Sequence, residues 1–230
     1  MTNKIIFLFF NFFINNNIIL KIRSSKFNID DYNYDFINIS FENLSELKKI
    51  IFSKKYFIDK FYDENSIRYH YFEWLYAAKK TGGSDIISLT KQHIINWYQK
   101  KYRISSFVWE KNFIAKRLIN LIYNFDYYAV SATKQEKKKF NIIILKHYFI
   151  LKLQVQLDKN NCSIEITKAL FLFHLIYKLD TSEIIRLINK QLDNHINKNG
   201  MHNSMNPCLH TEFINHLYEI KNMCLFFEVD

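Results

Sequence analysis

Residues 107–125, FVWEKNFIAKRLINLIYNF, carry the clearest periodicity in the chain and decide its fold class. Apolar residues recur there at i, i+4, i+7, i+8 and i+11: Ile114, Leu118, Leu121, Ile122 and Phe125. This spacing puts all of these side chains on one face of an α-helix. We therefore predict an amphipathic helix that begins near Phe107.

Helical patterns flank this segment on both sides. On the N-terminal side we predict helices over 45–52, 66–80 and 84–102, with Gly82-Gly83 separating the last two. On the C-terminal side we predict a long helix over 134–159, whose apolar stretch 140–157 indicates a central helix covered on several sides. Three more helices are expected over 166–177, from Ser182 to a stop at Gly200, and from Pro207, a residue favoured at the first helical position.

The composition agrees with a few long helices. The 230 residues include 3 glycines and 1 proline, whereas sandwiches and α/β folds need many of both in their turns. Short joints make neighbouring helices antiparallel, and such hairpins build bundles, solenoids or incomplete toroids. No repeat of about 34 or about 40 residues is visible, which disfavours tetratricopeptide and HEAT arrays. We predict an all-α fold, an incomplete α/α toroid of antiparallel helical hairpins.

The first forty residues differ from the rest. Residues 5–22 are apolar, but Asn11 and Asn15-Asn16-Asn17 interrupt them, so a membrane span is disfavoured. A signal peptide is disfavoured because no small-x-small cleavage site follows. We predict an irregular or short-stranded arm over 1–40 and a helical domain over 41–230.

The net charge of +10 suits several anionic partners: nucleic acid, acidic lipid or an anionic polysaccharide. Because the chain is rich in Asn, Ile, Lys, Phe and Tyr, codon bias explains the charge equally well. Cys162, Cys208 and Cys224 show no metal-ligand or disulfide spacing. We predict that each is a small buried apolar residue, and we expect no metal and no cofactor.

Four stretches follow one another along the helical region. The first is 71–75, YFEWL, followed by a helix that ends near Trp97. The second is Trp109 followed by the pattern Ala115-x-Arg117-x-x-Asn120. The third is 168–170, KAL, and the fourth is 199–210, NGMHNSMNPCLH. Together they resemble the helical toroid domain of heparinase II/III-like proteins.

The third and fourth stretches resemble this family's N-H-x-x-x-x-x-K-A-L and D-G-x-x-x-E-x-S-P-x-Y-H motifs. The fourth is still closer to the G-G-H-x-S-R-x-P variant of bacterial members. The resemblance implies cleavage of an acidic polysaccharide by β-elimination, with a Tyr or His base at C5 and an Asn that neutralises the sugar carboxylate. It also implies a following β-sandwich domain, which this chain lacks, so the chain looks like a fragment or an isolated helical half.

The chain departs from these motifs at two positions. Leu209 stands where the family has its tyrosine base, and Cys162 stands where it has the histidine after Asn161. The resemblance leaves His202 and Asn161 as candidate catalytic residues. It implies that Arg117, Asn206, His210 and Trp109 bind substrate.

Each candidate also has a structural interpretation. His202 would fix its loop, Asn206 would cap the last helix and His210 would be a half-exposed helix residue. Arg117 would form a structural ion pair, Trp109 would be a core aromatic and Asn161 an ordinary loop residue.

Three functions remain open: a lyase-related helical domain, a carbohydrate-binding or scaffolding domain without catalysis, and a basic nucleic-acid-binding module. The run 137–139, KKK, is most simply a solvated face, so nucleic acid is not favoured. A lyase would be expected in the periplasm and the other two in the cytoplasm.

Overall fold

A computed structural model describes residues 67–100, 106–158 and 161–229. Within these ranges the chain forms nine α-helices and one 3-10 helix, and its only β pairing is an isolated bridge between Ile196 and His202. The all-α prediction is therefore confirmed for the described part of the chain. The predicted arm over 1–40 and helix over 45–52 lie outside the described residues.

The helices follow one another with short joints. Their bounds are α1 Ile67–Tyr71, α2 Trp74–Thr81, α3 Ser84–Gln99, the 3-10 helix Phe107–Trp109, α4 Lys111–Tyr123, α5 Phe125–Ala129, α6 Lys134–Leu157, α7 Ile164–Ile176, α8 Ser182–His195 and α9 Pro207–Phe227.

The predicted helix over 66–80 is divided into α1 and α2 at Phe72. This residue has a φ of 62°, which is costly for a bulky side chain and interrupts the helix. Its ring is fully buried and lies 5.3 Å from the ring of Trp97, centroid to centroid. The free energy gained by burying this ring offsets the cost of the strained backbone. The apolar spacing in the sequence does not predict this.

The helix predicted from Phe107 begins only at Lys111, after the 3-10 helix Phe107–Trp109, and it ends at Tyr123, before Phe125, the last apolar residue of its predicted face. Asn124 leaves the helical conformation, and its side-chain amide donates to the carbonyl of Asn120 at 2.8 Å. The chain then forms the short, unpredicted helix α5. The hydroxyl of Tyr128 in this helix donates to the carbonyl of Leu121 at 2.9 Å, which ties α5 back to α4.

Two helices occupy the centre of the described region. Helix α6 is buried at most positions from Phe140 to Leu151, as its apolar stretch predicted. Helix α7 is buried at every position from Ile166 to Ile176, although the sequence predicted an apolar face only. Both pack against α4, and α7 also packs against α8 and α9. A helix surrounded in this way needs apolar side chains all round.

The prediction that all three cysteines are buried is only partly correct. Cys162 is buried, Cys224 is partly exposed and Cys208 is exposed in the first turn of α9. All three are free thiols.

The N-terminus of α6 provides a test of local stability. The backbone N–H of Glu136 donates to Oγ1 of Thr133 at 3.2 Å, and the N–H of Thr133 donates to Oε2 of Glu136 at 2.7 Å. This capping box satisfies two donors that the helix leaves open. Thr133→Ala is expected to lower the free energy of unfolding by about 1 kcal/mol, measured by urea denaturation. Thr181 at the start of α8 makes no side-chain cap bond, so Thr181→Ala should change little, and equal losses would contradict this assignment.

Candidate functional site

A groove of about 370 Å³ runs between α4, the first turn of α7 and the first half of α9. Its volume lies within the range of small-molecule sites, about 300–1,000 Å³. Residues from three of the four quoted stretches line it, and the third stretch, 168–170, lies just after its lining residues 163–165. The lining consists of Tyr71, Asn112, Lys116, Ser163, Ile164, Glu165, His195, His202, Leu209, Glu212, Phe213 and His216.

A larger open depression of about 600 Å³ lies between the end of α7 and residues 226–229. Its histidine, His174, already has two partners, since Nε2 lies 2.9 Å from the hydroxyl of Tyr148 and Nδ1 contacts the carbonyl of Asp180. The groove has far more converging polar side chains, so we take it as the candidate site.

The turn between α8 and α9 forms one wall of the groove. The N–H of Asn197 donates to the carbonyl of Met201 at 2.8 Å, and the N–H of Asn203 donates to that of His195 at 2.7 Å. Gly200 has a φ of 78°, a conformation that favours glycine. The helix α8 was predicted to stop at Gly200, but it ends at His195, and Gly200 lies in the turn that follows.

His202 is held by its own loop in one hydrogen-bonding arrangement. The backbone N–H of Ser204 donates to Nδ1 of His202 at 3.2 Å, and Oγ of Ser204 lies 2.7 Å from the same nitrogen. Because a backbone N–H can only donate, Nδ1 accepts, and the proton of the neutral ring lies on Nε2. In this arrangement His202 is a hydrogen-bond donor through Nε2, whereas a general base needs a free lone pair.

His195 stacks beside His202, with ring centroids 5.4 Å apart and an interplanar angle of 22°. Phe213 of α9 contacts both rings, at 5.6 Å from His195 and 5.8 Å from His202. Burial, and secondarily the charge that His202 carries when protonated, lower the pKa of His195. These rings give the groove an aromatic wall.

A charged network surrounds His216, which lines the groove from α9. Nζ of the buried Lys168 lies 3.0 Å from Nδ1 of His216 and 2.8 Å from Oε2 of Glu219. The hydroxyl of Tyr123 donates to the same Oε2 at 3.3 Å. Burial first, then Lys168 and Lys116, lower the pKa of His216 to about 3.

The groove also contains one partly buried lysine and two glutamates. Nζ of Lys116 lies 4.7 Å from the ring centroid of Tyr71. Burial raises the pKa of Glu165, and Lys116 and Lys168 oppose that shift. Glu212 is exposed at the groove edge. The site thus combines a cation, carboxylates and neutral imidazoles.

Arg117 and Trp109, which the sequence proposed for substrate binding, lie in the core. Arg117 is fully buried, and its guanidinium donates to Nε2 of His147 at 2.6 Å and to the carbonyls of His70 and Val108 at 2.7 and 2.8 Å. Trp109 is 3% exposed. Neither side chain lines the groove, because the apolar face of α4 carries Arg117 inward with Ile114 and Leu118.

The other predicted residues lie near the groove without lining it. Asn206 caps α9, since its Oδ1 accepts from the N–H groups of Cys208 and Leu209 at 2.9 and 3.4 Å. Nδ1 of His210 accepts from the N–H of His202 at 3.2 Å and fixes the loop. Asn161 lies beside Lys111, whose Nζ donates to its carbonyl at 2.7 Å. Of the six residues that the sequence proposed, only His202 lines the groove.

Sequence reasoning missed Lys116, Glu165, His195, Glu212 and His216. The spacing of Glu212 and His216 at i, i+4 on one face of α9 was a usable signal. Over 67–100, 106–158 and 161–229, no helix combines the length and apolar character needed to cross a bilayer. The same residues contain no cluster of three metal-ligating side chains.

Comparisons of the chain with protein-family models, with curated proteins and with solved structures found no match. The groove and the chemistry of its lining side chains therefore carry the functional assignment.

Proposed function

We propose that this chain is a helical domain related to heparinase II/III-type lyases, and that its groove binds an acidic saccharide without cleaving it by the family's mechanism. Binding is the function that the side chains support best. The lyase activity expected from the resemblance lacks the family's tyrosine base, because Leu209 stands at that motif position.

The observation that carries the proposal is the convergence of separated sequence stretches on one groove. Tyr71 comes from the first stretch, Lys116 from the second, and His202 with Leu209 from the fourth, while Glu165 lies on α7 three residues before the third. These stretches were chosen for their resemblance alone. Their meeting at one concave surface supports a shared binding role for them.

The same groove argues against family-type catalysis. Leu209 lies in the lining at the position of the family's tyrosine, and a leucine cannot take a proton. His202 has its Nδ1 lone pair occupied by Ser204 and presents Nε2–H. Nucleophilic or base catalysis needs an available lone pair, whereas saccharide recognition needs donors, acceptors and aromatic faces.

Lys116 suits the carboxylate of a uronic acid, and it stands beside two glutamates, Glu165 and Glu212. Lys116 provides a cation for a sugar carboxylate, and the exposed carboxylate of Glu212 can accept hydrogen bonds from sugar hydroxyls. The net charge of +10 would attract a polyanion from a distance.

We expect the protein to bind polygalacturonate or heparan-type chains, and Lys116→Met to weaken that binding about tenfold. Isothermal titration at fixed ionic strength would measure the affinities. Lys139→Met is the matched control, because it removes the same charge from an exposed site on α6 outside the groove. Equal affinities for Lys116→Met and the unsubstituted protein would contradict the groove assignment.

A lyase assay separates binding from catalysis. The unsubstituted protein is expected to produce no unsaturated uronate, followed by ultraviolet absorbance, while it still binds the polymer. Turnover that is lost in His202→Ala would restore the enzymatic interpretation. Salt-sensitive binding of DNA in place of polyuronate, weakened by Lys138→Met with Lys139→Met, would favour the nucleic-acid alternative.

A further inference from the structure

His216 is the groove residue whose hydrogen-bonding state the structure defines most completely. Its ring lines the groove from α9, and its Nδ1 lies 3.0 Å from Nζ of Lys168 on α7. The ion pair of Lys168 with Glu219, at 2.8 Å, holds the ammonium in place behind the ring. The side chain of Lys168 is only 5% exposed, so the contact is shielded from water.

The lysine determines which ring nitrogen carries the proton. An ammonium group has three N–H donors and no lone pair, so Nδ1 of His216 must accept. The neutral imidazole then carries its proton on Nε2. A second proton would place a charged ring against the Lys168 ammonium in a buried site, and burial together with this repulsion lowers the pKa of His216 to about 3.

The Nε2 side of the ring is left for a ligand. Among residues 67–100, 106–158 and 161–229, Nε2 of His216 has no hydrogen-bond partner, while the ring faces the groove. This donor is therefore available to a ligand in the groove that brings a hydrogen-bond acceptor.

We propose that His216 donates a hydrogen bond from Nε2 to a carboxylate or hydroxyl oxygen of the bound saccharide, with Lys168 as the positioning residue that fixes this tautomer. The identity of the ligand rests on the proposed saccharide-binding function. The assignment of the tautomer does not. The donor is uncharged, so it selects by hydrogen-bond geometry, and the attraction to the sugar carboxylate comes from Lys116.

The tautomer is measurable without any ligand. In the full chain labelled with ¹⁵N-histidine, the NMR shifts of His216 are expected to show a neutral ring with its proton on Nε2. Lys168→Met should give a mixture of tautomers, whereas Lys168→Arg, which keeps a donor, and the surface control Lys139→Met should not. A proton on Nδ1 in the unsubstituted protein would overturn the proposal, even if Lys168→Met failed to fold.

Binding of polygalacturonate tests the donor. His216→Phe keeps an aromatic ring without a donor and is expected to weaken binding about five- to tenfold. His216→Gln places an amide N–H near the position of Nε2 and should stay within about twofold of the unsubstituted protein. Equal losses in both variants would overturn the donor role.

The two proposals fail in different ways. No polyuronate binding, with His216 still protonated on Nε2, would refute the saccharide function and the ligand of His216 while supporting the role of Lys168. Binding of polyuronate that is unchanged in His216→Phe would support the saccharide function and refute the donor.

Discussion

Acidification from about pH 7 to about pH 5 is expected to lower the free energy of unfolding by about 2 kcal/mol through His70 alone, and His147 should add to this loss. Burial, and secondarily the nearby Arg117 charge, lower the pKa of His70 to about 4 from its ordinary 6.5. The same two causes, in that order, hold the pKa of His147 well below its ordinary value. His147 is fully buried and His70 is 1% exposed.

The direction follows from proton counting. In the unfolded chain both rings take up a proton near pH 6.5, whereas in the folded protein they stay neutral to a lower pH. The unfolded state therefore binds more protons as the pH falls, and the folded state loses relative stability. The stability is fully present above pH 6.5 and declines below it.

Urea denaturation at a series of pH values would measure this loss. His147→Gln removes one titrating ring, so the stability of this variant should depend less steeply on pH than that of the unsubstituted protein. Leu172→Ala is the control, because it opens a cavity in α7 without removing a titrating group and should leave the slope unchanged. A flat profile between about pH 6.5 and about pH 5 would contradict the assignment.

Replacing Arg117 by methionine is expected to cost about 3–5 kcal/mol of unfolding free energy. The substitution leaves Nε2 of His147 and the carbonyls of His70 and Val108 without the donors that they have now. It also removes a guanidinium whose central carbon lies 4.2 Å from the ring centroid of Trp97. Buried acceptors without a donor are strongly destabilising.

Arg186→Met on the exposed face of α8 is the matched control and should stay within about 0.5 kcal/mol of the unsubstituted protein. Arg117→Lys should recover only part of the loss, since an ammonium cannot reproduce the planar fork that serves three acceptors. A loss below about 1 kcal/mol for Arg117→Met would show that these acceptors find other donors.

The sequence predicted the long helices well because their apolar spacing extends over several turns. The division at Phe72 was missed, since a positive φ at a phenylalanine is stable only through tertiary burial of its ring. The end of α4 was missed because Asn124 leaves the helical conformation inside an otherwise continuous apolar pattern. The full burial of α7 was missed for a related reason. Its run of apolar residues was visible, but the four helices that cover it are brought there by the fold.

The candidate site was predicted less well than the fold. The motif comparison led to the Gly200–Pro207 turn and to His202, which lines the groove. It also selected Arg117, which lies on the buried face of α4. The neighbouring Lys116 lines the groove instead. Successive residues are rotated by about 100° around a helix axis, so Lys116 and Arg117 point in different directions. The sequence pattern alone does not show which of these directions leads to the core.

The lining of the groove includes Tyr71 of α1 and four residues of α9, which are the first and last helices of the described region. A concave surface assembled from helices so far apart in the sequence is lost when either of these helices unfolds. Occupancy by any compound is therefore thermodynamically linked to cooperative folding of the whole helical array, and binding will register as a rise in Tm even where the ligand touches only a few side chains.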